Sequence, residues 1–151
     1  MVNLARVGGV VILARCTFKA GDDYALRLSQ LATDSEVIAK KAIYAGADVI
    51  ADKIKSNLEG ILSSEATGEL VDSFGVTPIE KDSSGNFNAK IGFDGYDSKG
   101  VANQLKARVI ESGTSTKQKH PFVRPAVNAT KKQAVARMGE IIDEEIKKMN
   151  L

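Results

Sequence analysis

"TDSEVIAKKAIYAGADVIADKIKSNLEGIL", residues 33–62, decides the fold. Ile43, Ala47, Ile50, Ile54, Leu58 and Ile61 follow one another at steps of 4, 3, 4, 4 and 3. On a helix of about 3.6 residues per turn that spacing is a single stripe. Ala42, Ala45 and Gly46 form a row of small residues beside it, and Thr33 and Glu36 have the spacing of a capping box. The stretch predicts a helix of about 28 residues, roughly 42 Å long at 1.5 Å per residue. An apolar stripe with a small-residue flank belongs to a helix packed on both sides.

Working outward, residues 22–32 place Tyr24, Leu28 and Leu31 at helical spacing behind Asp22, which predicts a short amphipathic helix. Beyond the long helix the period changes from 3.6 to 2. Phe87, Ala89, Ile91 and Phe93 alternate with Asn88, Lys90 and Gly92 after the turn at 82–86, which predicts a hairpin with one buried face. Pro78 has no amide hydrogen, so the first strand is expected at an edge or bulged there. "DGYDSKG" (94–100) reads as a flexible polar loop. A helix follows with Ser98 as cap, Val101, Leu105 and Val109 inward, and Gly113 closing it. The last helix is expected from about Arg124 to Met149, with Pro125 in its first turn and a stripe of Val127, Val135, Met138, Ile142, Ile146 and Met149.

The fold class is therefore α+β: a long N-terminal helix and a C-terminal helix packed on a small antiparallel β-sheet. At 151 residues the chain fits one domain, drawn at 17–151 with residues 1–16 as an N-terminal extension. That extension carries Arg6 and the apolar run Val7 to Ala14, then Arg15 where a signal cleavage site needs a small residue. The run is far short of the roughly 20 residues that span a bilayer. It reads as a strand or docking arm, and no membrane partner is expected.

Composition removes several chemistries. Aromatics make up 5% with no Trp, too few for a stacking platform. The single cysteine, Cys16, and single histidine, His120, are 104 positions apart and supply no metal spacing or nucleophile–base pair. A lone cysteine also suits a reducing, intracellular environment. Neither "VGGVV" nor "GFDGYDSKG" matches a phosphate-binding fingerprint, and Asp94 with Asp97 lack the further acids of a calcium loop. Asp48 and Asp52, one turn apart, could form an acid–base pair, but Lys53 and Lys55 beside them mark a solvated helix face. No cofactor and no catalysis are expected.

Charge is distributed unevenly. Residues 98–139 hold nine cations against one acid, Glu111, a block of +8 that leaves −6 for the rest of a chain of net +2. The alternatives are a DNA-binding module using the basic block 99–137, or a subunit whose basic side meets the acidic side of a neighbour.

Within that block lies "SGTSTKQKHPFVRPA" (112–126). A glycine ends one helix, a basic loop follows, and Phe122, Arg124 and Pro125 launch the next. His120 is held extended by Pro121. Phe122 is expected to be buried at this joint, and Arg124 to make a charged hydrogen bond to Glu111 of its own or a neighbouring chain.

The chain resembles the tail-completion or head–tail joining proteins of tailed bacteriophages. The resemblance is carried by the long helix, the turn Thr67-Gly68-Glu69-Leu70 through Ser73, the hairpin, Glu111-Ser112-Gly113-Thr114, and Pro121-Phe122-Val123-Arg124-Pro125-Ala126. It spans about residues 17–149, with Ser112 standing where members often have an aromatic. It implies a non-enzymatic virion protein of the neck, made in the host cytoplasm. Copies would assemble into a ring, a hexamer, that completes or terminates the tail. Its partners would be itself, tail tube and connector proteins, and genomic DNA passing through without specific binding. The residues expected to serve assembly are Glu111, Gly113, Thr114, Pro121, Phe122, Arg124 and Pro125.

Overall fold

The computed structural model describes residues 35–64, 66 and 68–149, together with three short strands nearer the N-terminus. These are β1 (Arg6–Val7), β2 (Val10–Val11) and β3 (Ala14–Cys16). The helix expected over 22–32 and the capping Thr33 lie outside the described residues. Next come α1 (Ser35–Ile61), α2 (Glu69–Asp72), β4 (Phe74–Val76), β5 (Glu80–Lys81), β6 (Phe87–Phe93), α3 (Asn103–Ser112) and α4 (Val123–Lys148).

α1 runs for 27 residues and buries the expected stripe from Ile43 to Leu58, with Ile38, Ala42 and Gly46 beside it. α4 lies antiparallel along it. At one end the Lys41 ammonium pairs with the Glu145 carboxylate at 2.8 Å; at the other the Asn57 side-chain amide donates to the Phe122 carbonyl at 3.1 Å. Between these ends the helices nearly touch. A Cβ on Gly46 would stand 2.6 Å from Met138 Cγ and 3.3 Å from the Ala134 carbonyl oxygen. This close approach corrects the predicted stripe of α4: Val135 is half exposed, while Ala134 is fully buried. Gly46 leaves room for the Met138 side chain, and the close approach of the backbones brings Ala134 rather than Val135 to the seam.

β6 is the centre of an antiparallel sheet. β3 pairs along one edge, with Cys16 opposite Ala89; β4 and then β5 pair along the other. The gap between β4 and β5 is at Pro78, as its missing donor requires. Thr77 bridges the gap: its amide donates to the Lys90 carbonyl at 2.8 Å, and its hydroxyl accepts the Lys90 amide at 3.0 Å. The second face of β6 is less open than alternation predicts, because Asn88 is buried as well as Ala89. β1 and β2 pair separately as an antiparallel ribbon.

The fold is thus α+β, as expected. Its core has two parts. One, at the N-terminal half of α1, joins Ile38, Ala42 and Ile43 to Ala89, Met138 and Ile142. The other joins Ile54 and Leu58 to Leu70, Phe93, Ala107 and Phe122. Among the described residues no helix is long and apolar enough to cross a membrane.

Candidate functional site

The expected assembly residues converge on one joint between α3 and α4. A helix begins with amide groups that have no intrahelical acceptor. In α4 these belong to Phe122, the residue before the first turn, and to Val123 and Arg124; Pro125 has none to offer. All three donate to the carboxylate of Glu111, from Phe122 at 2.7 Å, Val123 at 2.9 Å and Arg124 at 3.2 Å. One side chain from the end of α3 therefore caps the whole start of α4, with its negative charge at the positive end of the helix dipole.

The rest of the joint sets this clasp. Gly113 closes α3 with φ 71°, and its amide donates to the Val109 carbonyl at 2.8 Å. A Cβ there would come within 2.8 Å of the Lys117 carbonyl oxygen and 2.9 Å of the Lys119 nitrogen, so glycine is required by space as well as by φ. The Thr114 hydroxyl accepts the amides of Thr116 at 3.3 Å and Lys117 at 3.0 Å, and the His120 amide donates to the Ile110 carbonyl at 2.7 Å. Phe122 is fully buried with its ring edge-on to Phe93 at 6.1 Å, and Phe93 stacks at a tilt on Phe74 at 5.0 Å. Pro121, Arg124 and the segment from Thr114 to His120 face solvent. Arg124 does reach Glu111, but through its main-chain amide rather than its guanidinium.

Three expectations are corrected here. Ser98 is not the cap of α3, which begins at Asn103; its amide and hydroxyl donate instead to Glu69. Val101 and Leu105, expected inward, are exposed at 39% and 54%, and the buried face of α3 is Asn103, Gln104 and Ala107. Polar tethers fix the rotation. Asn103 donates to the Asp94 carbonyl at 3.0 Å, Lys106 pairs with Asp97, and Glu111 holds α4. Finally, "DGYDSKG" is tied rather than loose. Asp97 is buried and accepts the amides of Lys99 at 2.9 Å and Val101 at 2.7 Å. Its ion pair with Lys106, aided by the Val101 amide, holds its carboxyl below the usual range.

Asp48 and Asp52 stand exposed on the outer side of α1. Among the described residues no group of three or more histidine, cysteine, aspartate or glutamate side chains could hold a metal ion. Asn57, which grips the Phe122 carbonyl, escaped the sequence reading; an asparagine on a half-exposed helix position carries no signal of its partner 65 residues on.

Residues 13–113 match the family described as "Bacteriophage HK97-gp10, putative tail-component". The chain belongs to this family. The HK97-gp10-like match takes in β3, α1, the sheet and α3, and it ends on the glycine of the joint. Glu111 and Gly113 fall inside it, while the basic loop and the start of α4 lie beyond. No curated protein matches, and no solved structure matches.

Proposed function

We propose that this phage tail component is a structural protein of the virion neck: a ring, with six copies as the expected number, that completes or terminates the tail and joins it to the head connector around the DNA channel. Family membership supports the tail assignment. The observation that carries the finer reading is the segregation of charge, +8 in residues 98–139 against −6 elsewhere. A ring is built from heterologous contacts, in which one side of a subunit meets a different side of the next, and opposite charges on the two suit that geometry. In this reading the joint at Glu111, Gly113, Thr114, Pro121, Phe122, Arg124 and Pro125 fixes how the basic loop is presented to a neighbour. Head proteins, tail proteins and DNA are contacted as surfaces, without catalysis or cofactor.

The test is a phage carrying Phe122→Ala and Arg124→Ala in this chain. The expected result is filled heads and separate tails by electron microscopy, with the purified wild-type protein forming rings. Normal joining by the double variant removes the joint from assembly, and absence of the chain from virions removes the neck role. Steeply salt-dependent duplex binding by the isolated chain would favour the DNA-binding module instead.

A further inference from the structure

The corrected face of α3 lines a groove of about 830 Å³. Ile61, Leu62 and Leu70 form one wall, and Val101, Leu105 and Val109 the other. Lys106 and Lys117 stand at the rim, and the adjoining turn exposes Tyr96 at 75%. A contiguous apolar surface with a charged rim marks an interaction site.

The chain's own described elements leave the groove open, and one segment with a matching face is tethered too far away. Residues 22–32 carry Tyr24, Leu28 and Leu31 at helical spacing, and residues 21–34 hold Asp22, Asp23 and Asp34 against Arg27. This segment returns to α1 at Ser35. Leu31 is four residues from Ser35, at most about 14 Å of extended chain. The groove is at the opposite end of α1, beside Ile61, about 39 Å from Ser35 at 1.5 Å per residue. Cys16, where the segment departs, pairs with Ala89 in the core part beside Ile38 and Ile43, again at the far end. α4 also ends at that far end, where Glu145 meets Lys41.

We infer that the groove receives residues 22–32 of a second copy of this chain, with Tyr24, Leu28 and Leu31 against Leu105 and Val109, and the aspartates near the basic rim. The inference rests on the ring reading and names its contact. The arrangement is head-to-tail, because donor segment and acceptor groove lie at opposite ends of α1, and so it propagates from copy to copy until a ring closes.

Two differently tagged full-length chains test this, both with Cys16→Ser: one carries Leu105→Cys, the other Leu28→Cys. Mixed and oxidised, they are expected to give a disulfide dimer of unlike chains, at least tenfold above a control pairing Leu28→Cys with Val135→Cys on α4. Leu105→Asp, at a position already exposed, is expected to abolish association while leaving the unfolding midpoint of the monomer unchanged. No unlike dimer, closure of both cysteines within one doubly substituted chain, or capture of Leu105→Cys by Leu4→Cys of the N-terminal residues overturns the inference. Joining of heads and tails by the Leu105→Asp chain removes the groove contact and leaves the neck role standing. A cross-linked chain absent from the neck does the reverse.

Discussion

Glu111 and Asp97 both hold loops beside α3, and they do so differently. Glu111 accepts three amides of another helix and has no cation beside it among the described hydrogen bonds and ion pairs. Asp97 accepts two amides of its own turn and is also paired with Lys106. The first joins elements eleven or more residues apart and satisfies donors that a helix start cannot satisfy itself. The second closes its own turn and ties that turn to the neighbouring α3 through Lys106, a few residues along the chain. A carboxylate's structural weight therefore follows from which donors it alone can satisfy, rather than from how many contacts it makes.

The comparison can be broken at its largest point first. Phe122→Ala removes a fully buried ring beneath the Glu111 clasp and is expected to cost about 3–5 kcal/mol by denaturant unfolding. A loss below about 1 kcal/mol would show that the joint is not anchored in the core. Glu111→Ala strands three amides and is expected to cost about 2 kcal/mol, the upper end for a lost helix cap; Glu111→Gln keeps an acceptor and should lose less. A Gln variant as stable as wild type would remove charge from the account.

Asp97→Asn sharpens the contrast through pH. The folded carboxyl titrates below its ordinary value of 3.8 because of Lys106 and the Val101 amide. Its stabilisation is therefore full above that value and lost as the pH falls through the lower, folded one. Urea unfolding at a series of pH values should show the gap between wild type and Asp97→Asn narrowing below 3.8. A gap that persists unchanged on acidification contradicts the ion pair. The smallest effect is at Arg124→Ala. Its contact with Glu111 is made by the main chain, so monomer stability should stay within about 0.5 kcal/mol, and any loss should appear in assembly alone.

Much of this was legible in the residues. The stripe of α1, the edge strand at Pro78, the closing glycine at 113 and the buried Phe122 each follow from a local rule: helical period, a missing donor, a positive φ, an apolar residue in a polar loop. The faces of α3 and α4 were not legible to the same degree. In α3 three polar tethers outweigh the apolar spacing of Val101, Leu105 and Val109, and in α4 the contact of Gly46 with Met138 selects Ala134 over Val135. Both choices depend on residues distant in sequence, which a periodicity cannot report.

By itself, then, the sequence determined the two long helices, the hairpin and the α+β class, because these rest on spacing within short windows, and the family through a resemblance in motifs. Tertiary structure alone decided which side of α3 faces solvent, that Glu111 reaches α4 through main-chain amides, and that Val101, Leu105 and Val109 line an apolar groove with Ile61 and Leu62 at one end of α1. The physical reason is common to all three. A helix's rotation about its axis is set by what it packs and pairs against, and those partners lie tens of residues away in the chain.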